Sequence, residues 1–118
     1  MNAWAFLVTG GDRVGAPQYI AQSASGQATT TEWTHLVGTY DPGTTDGMVS
    51  LYVNGSLVGT ANVPNSASNT WNATGPLTIG AVKTNTAINN QTTGSIAGVG
   101  VYPYTLTKDQ VATVYRNQ

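Results

Sequence analysis

Few residues of this chain have side chains suited to acid–base or metal chemistry. His35 is the only histidine, and because no partner group adjoins it, we interpret it as a core histidine rather than a catalytic base or metal ligand. Asp41 and Asp46 flank a Gly/Thr loop and could offer carboxylate oxygens to calcium. They could equally cap their own backbone in a turn, which needs no metal. We favour the turn interpretation and predict no cofactor, with calcium left as the weaker alternative.

Cleavage of a glycosidic bond requires two carboxyl groups that face each other across a cleft. Two acidic residues at positions i and i+2 of a strand would lie on one face of it. No predicted strand of this chain carries such a pair, and the whole chain has five Asp and Glu residues. We therefore predict that the protein is not an enzyme.

The aromatic residues are the best candidates for binding. Trp33 and Tyr52 lie in predicted strands, where packing explains them better than ligand binding. Trp71 lies in a polar stretch beside Asn69 and Asn72, and an indole ring with neighbouring amide groups could bind a sugar. The other interpretation, which we favour for Trp71 taken by itself, is that it anchors its own loop to the protein. If the protein binds a glycan, we predict Trp71, Asn69 and Asn72 as the carbohydrate-binding residues.

Composition limits the possible partners. The 118 residues suffice for one domain, and they include only four Lys and Arg and no Cys. Nothing is available to neutralise phosphate groups, which argues against nucleic acid and against anionic membrane surfaces. No disulfide or thiolate metal site can form. The apolar segment Ala3–Val8 is too short for a signal peptide or a membrane span, so we predict no membrane insertion; an export signal would belong to a longer precursor.

The stretch Trp33–Thr60 predicts three consecutive antiparallel strands, Trp33–Tyr40, Met48–Val53 and Leu57–Thr60. Asn54-Gly55 between the last two is a strong hairpin signal, since a type I′ turn needs positive φ at both central residues.

Shorter patterns flank this stretch. Thr107 with Gln110 three residues later is typical of a helix capping box, and Val111, Val114 and Tyr115 form one apolar stripe behind it. The remaining expected elements are strands over Ala3–Thr9, Pro17–Ala24, Leu77–Ala81 and Ser95–Tyr102, and long loops over Ala61–Asn72 and Thr84–Thr93.

Four motifs in order resemble the laminin-G-like jelly-roll family of the concanavalin A-like lectin/glucanase superfamily. They are WTHLVGTYD, LYVNGSLVGT, GPLTIGA and GSIAGVGVYPYTLTKDQVATVY. The resemblance implies an all-β fold, an antiparallel jelly-roll β-sandwich with one short C-terminal helix, as a single domain over residues 1–118. Only 32 residues precede Trp33, fewer than family members usually have. A sandwich that lacks its N-terminal strands is therefore an alternative. The segment TWNATGPLTIG is similar to versions of the same motif that are common in secreted bacterial proteins.

The closing strand departs from the family pattern. Relatives typically read Ile-Asp-Asp-Val-Arg-Val-Tyr, whereas residues 96–102 here read IAGVGVY. The acidic positions are gone, which also disfavours calcium. An uncharged strand without its usual partners would expose Ile96, Val99, Val101 and Tyr102 as an open edge. We therefore expect a homo-oligomer or a complex with another protein chain that pairs with this edge.

Together these observations predict a non-catalytic binding module. The first hypothesis is carbohydrate recognition or adhesion in an extracellular bacterial protein. The second is a structural or assembly domain, such as a decoration or fibre domain of a virion, whose ligand is another protein chain. Both place the protein outside the cell or on a cell or virion surface.

Overall fold

The structure is a computed structural model that describes residues 2–69, 71–84, 87–89 and 91–118. The chain divides into two compact units. The first unit contains residues 1–71 and 102–118, and the second contains residues 72–101. Each unit is described by itself below.

The first unit contains two antiparallel sheets and a helix. A two-stranded sheet pairs β1 with β2, and a three-stranded sheet has the order β3-β4-β5. A short 3₁₀ helix, Ser66–Ser68, follows β5. The elements are β1 (Ala5–Thr9), β2 (Gln18–Gln22), β3 (Leu36–Asp41), β4 (Gly47–Val53), β5 (Ser56–Val63) and α1 (Lys108–Arg116).

The turn between β4 and β5 has the predicted geometry. Asn54 has φ 48° and Gly55 has φ 82°, so both central residues adopt the positive φ that a type I′ turn requires. Asn54 also closes the end of the neighbouring strand, because its Oδ1 accepts a hydrogen bond from the His35 backbone N–H at 2.9 Å. The Asn54 N–H in turn donates to the His35 carbonyl at 2.8 Å.

One face of the three-stranded sheet packs against the β1–β2 hairpin. Alternate residues of β4 point to this face, so Val49 and Leu51 are buried there with Val63 of β5 and Ala21 of β2. Phe6 of β1 packs against the same cluster. The alternation of β4 thus produces the main hydrophobic core of this unit.

Two glycines let the hairpin approach the sheet closely. Gly38 and Gly59 pair with Leu51 from either side. A Cβ atom at Gly38 would collide with the ring of Phe6, and one at Gly59 would lie 2.7 Å from the backbone nitrogen of Gln22. Across the sheet, the large Leu51 side chain therefore lies between two glycines. The absence of side chains at these glycines leaves space for the hairpin.

The opposite face of this sheet packs against the C-terminal segment. Tyr52, Leu106 and Val111 form a second buried cluster, with Val37 and Val114 against it. The predicted capping box is confirmed: Thr107 Oγ1 accepts from the Gln110 N–H, and Gln110 Oε1 accepts from the Thr107 N–H. Docking on the sheet stabilises a helix of nine residues that would be marginal alone.

The second unit has little regular structure among its described residues. Strands β6 (Val82–Thr84) and β7 (Ala87–Asn89) form an antiparallel hairpin. The expected loop over Thr84–Thr93 is therefore wrong where these strands lie; Asn85, Thr86 and Asn90 fall outside the described residues.

Two strand predictions in the C-terminal half are wrong. Leu77–Ala81 is not a strand: Gly80 has φ 82°, and the Thr78 hydroxyl donates to the Ala81 carbonyl at 2.7 Å, a local bond that competes with a strand ladder. Ser95–Tyr102 is not a strand either. Gly98 has φ 64°, which is incompatible with extended backbone, and glycine weakens strands generally.

Two boundaries in the N-terminal half also differ from the predictions. β3 begins at Leu36 rather than Trp33, because β4 ends at Val53 and the chain turns at Asn54. His35 still bonds to Asn54, but Trp33 and Thr34 lie beyond the paired residues. Trp33 is 71% exposed, so its predicted packing role is wrong. β5 continues to Val63, which pairs with Gly47, so the expected loop over Ala61–Asn72 begins too early.

The fold class is confirmed at the coarser level. Most of the regular elements in the described residues are strands, their sheets are antiparallel, and one short α-helix lies near the C-terminus. The sheets of this part of the chain have two, three and two strands, so a complete jelly-roll sandwich is not confirmed.

Candidate functional site

The Trp71 side chain is held in place by its polar edge. Its Nε1 donates a hydrogen bond to the Thr9 carbonyl at 3.1 Å, which fixes the ring beside the end of β1. The side chain is still 41% exposed. The ring is therefore partly available to a ligand while its N–H is already satisfied by the protein.

The two asparagines close to Trp71 in sequence lie in different surroundings. Asn69 Nδ2 donates to the Pro64 carbonyl at 2.7 Å, and the Asn69 N–H donates to Ser66 O at 3.0 Å. Both bonds stabilise the segment that leads to Trp71. Asn72 is exposed and belongs to the second unit. The structure thus places Trp71 and Asn69 in one unit, and the predicted binding role of the three residues stays a prediction.

The two aspartates that were candidate metal ligands accept hydrogen bonds from the protein. Asp41 Oδ1 accepts from the Gly43 N–H at 2.9 Å, as in an Asx turn. Asp46 Oδ1 accepts from the Asn65 N–H at 2.9 Å, and its Oδ2 accepts from Asn62 Nδ2 at 3.3 Å. Asp46 therefore joins the β3–β4 turn to the segment after β5. No group of three His, Cys, Asp or Glu residues within the described ranges could hold a metal ion.

A buried serine reinforces the same junction. Ser66 Oγ donates to the Pro42 carbonyl at 2.6 Å, and the Ser66 N–H donates to the Thr45 carbonyl at 2.9 Å. The β3–β4 turn and the 3₁₀ helix consequently form one hydrogen-bonded cluster. These hydrogen bonds explain the positions of the Asp46 and Ser66 side chains without a bound ligand.

His35 contributes to packing at the other end of the sheet. Its ring lies 5.5 Å from the Tyr115 ring, measured between centroids, at an interplanar angle of 47°. The Tyr115 ring also covers Gly55, where a Cβ atom would come within 2.8 Å of Tyr115 Cδ2. His35 is half-buried in this arrangement and belongs to neither buried cluster, so it packs at the end of the sheet rather than in the predicted core position.

A groove that the sequence does not predict lies on the helix side of the three-stranded sheet. The groove has a volume of about 300 Å³, at the lower end for small-ligand pockets. Its floor comes from alternate residues of β3 and β4, and one wall comes from the segment that precedes and begins α1. Its lining residues are Thr39, Asp41, Met48, Ser50, Tyr52, Thr105, Leu106, Thr107 and Lys108. The alternation of polar residues along β4 was the available signal.

The predicted edge residues are exposed but do not form a strand. Ile96, Val99 and Val101 lie in irregular backbone of the second unit. All three have exposed side chains. Tyr102 belongs to the first unit, and its ring meets the Tyr104 ring edge-on at 6.1 Å. The strand that would have presented an open edge is therefore absent from the described structure, and the predicted role in oligomer formation stays a prediction.

Comparison with known families gives a definite assignment. A model of laminin G-type domains, described as the concanavalin A-like lectin/glucanases superfamily, matches residues 1–112. The chain belongs to this superfamily. The match confirms the resemblance found in the motifs from Trp33 onward and extends it over the first 32 residues. No curated protein and no solved structure matches the chain.

Membership of this family supports a general function. Laminin G-type and lectin-type domains are generally non-catalytic binding modules. In the described part of the chain, no helix has the length and apolar character needed to cross a membrane. The ligand and the location of the protein are the subject of the proposal below.

Proposed function

We propose that this protein is a non-catalytic carbohydrate-binding module of an extracellular or surface-bound protein, built on a jelly-roll framework. It binds glycans through the exposed ring of Trp71 and leaves them intact. The superfamily assignment supports the binding role. The exposed indole ring of Trp71, with the Asn69 amide two positions before it in the same unit, supports the choice of carbohydrate as ligand.

The observation that carries the proposal is the fixed but accessible Trp71 ring. A ring that is held before the ligand arrives loses little conformational freedom on binding, which favours affinity. The hydrogen bond from Nε1 to Thr9 supplies this restraint, and the 41% exposure leaves ring surface for stacking. Apolar surface beside a few placed polar groups is the usual construction of a small-ligand site.

Two substitutions of Trp71 separate ligand binding from anchoring. Trp71→Ala removes the ring and the hydrogen bond, whereas Trp71→Phe keeps a smaller aromatic face and removes the N–H donor. On a glycan array, we expect Trp71→Ala to lose binding and Trp71→Phe to keep part of it. Circular dichroism should show both variants folded. Equal binding by folded Trp71→Ala and wild-type protein would exclude Trp71 as the site.

A second candidate function is a structural or assembly domain that binds other protein chains. The observation that favours it is the exposed apolar surface of the second unit. Contiguous exposed apolar surface usually marks an interaction site. The exposed large apolar side chains of this unit are Leu77, Ile79, Val82, Ile88, Ile96, Val99 and Val101.

Size-exclusion chromatography with light scattering tests this second candidate. We expect the wild-type chain to have the mass of a dimer or larger assembly. Val99→Lys introduces a charge into the apolar surface and should give the mass of one chain. Gln91→Lys adds the same charge at an exposed polar position of the same unit and should leave the assembly intact. A wild-type monomer at micromolar concentration would contradict self-assembly.

A further inference from the structure

The single Asn-Gly pair of the chain, Asn54-Gly55, forms the turn between β4 and β5, and Asn54 is exposed there. Asparagine followed by glycine is prone to deamidation, because glycine has no side chain that hinders attack by its backbone nitrogen. That nitrogen attacks Cγ of the asparagine, loses its proton to Nδ2, and Nδ2 leaves as ammonia. Water then opens the succinimide ring to aspartate or isoaspartate, and no oxidant or other reagent is needed.

The geometry of the turn keeps the two reacting atoms apart. Asn54 has φ 48°, and the first central residue of a type I′ turn has ψ of about +30°. At this ψ, the Gly55 nitrogen and the Asn54 Cβ lie on nearly opposite sides of the Asn54 Cα–C bond. Closure of the succinimide ring needs both on the same side, and the rotation that brings them there breaks the turn. The folded turn therefore blocks the reaction.

Two sets of contacts hold the turn closed. On the strand side, the His35 N–H donates to Asn54 Oδ1 at 2.9 Å, and the Asn54 N–H donates to the His35 carbonyl at 2.8 Å. On the helix side, Tyr115 of α1 covers Gly55, where a Cβ atom would lie 2.8 Å from Tyr115 Cδ2. The His35 ring lies against the same tyrosine, with 5.5 Å between the centroids. Opening of the turn therefore requires loss of the His35 bonds and displacement of Tyr115.

The helix that carries Tyr115 is a short element near the end of the chain. It has nine residues, Lys108–Arg116, and elements of this kind open locally at a lower free-energy cost than the core. Undocking of the last helical turn would uncover Gly55 while Val49 and Leu51 stay buried in the main cluster. The turn can thus open without global unfolding.

We propose that Asn54 is a deamidation site that the docked C-terminal helix protects and that reacts when the β4–β5 turn opens. Tyr115 is the clamp, and the rate of deamidation follows the population of the open turn. This inference goes beyond glycan binding and does not depend on it, because none of its residues belongs to the site at Trp71.

The two products of the reaction differ in their effect on the hairpin. Aspartate keeps a side-chain oxygen that can accept the His35 N–H, so the turn can close again with one added negative charge. Isoaspartate carries the main chain through Cβ, which adds one atom to the chain between the paired residues Val53 and Ser56. The type I′ geometry is then lost, and the opening event leaves a permanent mark on the chain.

Timed incubation in mildly alkaline buffer, followed by peptide mass mapping, tests the site. The native wild-type chain is compared with the same chain unfolded in urea, and labelling by isoaspartyl methyltransferase detects the isoaspartate product. We expect the unfolded chain to deamidate at Asn54 and the native chain to do so at least about tenfold more slowly, a ratio equivalent to about 1.4 kcal/mol. Equal rates in the two states would overturn the protection, and an unreactive Asn54 in the unfolded chain would overturn the site.

A matched pair of variants tests the clamp. Tyr115→Ala removes the ring over Gly55 and should raise the native rate about threefold to tenfold, the effect of losing one aromatic contact. Tyr104→Ala removes an exposed tyrosine that precedes the helix and should leave the rate unchanged. Circular dichroism checks that both variants are folded. Equal native rates in the two folded variants would overturn the role of Tyr115.

The wild-type chain in urea below its unfolding midpoint provides a test that needs no substitution. We expect the rate at Asn54 to rise before the circular dichroism signal changes, because the turn opens locally. A rate that only follows the circular dichroism signal would show that the reaction requires global unfolding, and it would overturn the proposed local opening even if Tyr115→Ala does not fold.

Discussion

Gly59→Ala tests the packing of the β1–β2 hairpin on the three-stranded sheet. A Cβ atom at this position would lie 2.7 Å from the Gln22 nitrogen and 2.9 Å from its carbonyl carbon, and nearer still to the carbonyl oxygen. These distances are below the 3.0 Å that real Cβ atoms essentially never cross. The obstacle is backbone, so no side-chain rotation can relieve it. The hairpin or β5 would have to move.

The expected loss of stability follows from two opposing effects. Added volume in a well-packed core costs about 1–3 kcal/mol. Alanine in place of a strand glycine recovers about 0.5–1 kcal/mol of backbone entropy. Because the contact is with rigid backbone, we place the packing cost at the upper end. The free energy of unfolding should therefore fall by about 2 kcal/mol, a large part of the 5–15 kcal/mol of a typical domain.

Urea denaturation, followed by circular dichroism, measures this change. Gly75→Ala is the matched control, because a Cβ atom there has no atom within 4 Å. We expect a lower midpoint for Gly59→Ala with an unchanged slope, and a midpoint close to wild type for Gly75→Ala. Equal midpoints for the two variants would refute the close approach of β2 to β5.

Three further changes have defined outcomes. Asn54→Ala removes the bond to the His35 N–H and leaves a residue that disfavours positive φ, so unfolding free energy should fall by about 1–2 kcal/mol in a urea titration. Val111→Ala opens a cavity at a fully buried site of α1 and should cost about 2 kcal/mol, whereas Val14→Ala, at an exposed position, should change stability by less than about 0.5 kcal/mol. Adding a chelator should leave the melting temperature unchanged within a few degrees, because Asp46 already accepts bonds from Asn65 and Asn62; a larger fall would indicate bound calcium.

The sequence predicts the central sheet and the helix well because their signals are local. Asn54-Gly55 defines a type I′ turn by backbone sterics alone. The alternation of Val49 and Leu51 against Tyr52 correctly separates the two faces of β4. Thr107 and Gln110 cap the helix through bonds within four residues of each other. Each of these features is determined by neighbours in the chain.

The predictions fail where tertiary partners decide the outcome. Trp33 continues an apolar pattern, yet it lies beyond the end of β4 and has no residue to pair with. Residues 95–102 alternate like a strand, but Gly98 adopts positive φ, which periodicity does not reveal. Val63 lies in a polar, loop-like stretch of sequence, and only its pairing with Gly47 makes it part of β5.

The candidate sites could be predicted only in part. The sequence identifies Trp71 as an aromatic residue in a polar stretch. The hydrogen bond from its Nε1 to the Thr9 carbonyl joins residues 62 positions apart, so the sequence does not predict it. The groove combines β3, β4 and the start of α1, so its residues are far apart in the chain. Thr39 and Ser50 are ordinary strand residues in sequence, and only their pairing and burial distinguish them.

The central claim is that this protein binds glycans through Trp71 without cleaving them. Native mass spectrometry of the wild-type chain and Trp71→Ala, each incubated with a panel of neutral oligosaccharides, tests it most directly. We expect complexes of wild-type protein with intact oligosaccharide, the loss of these complexes in Trp71→Ala, and no shortened oligosaccharide in either sample. Shortened oligosaccharides, or an absence of complexes with the wild-type chain, would contradict the claim.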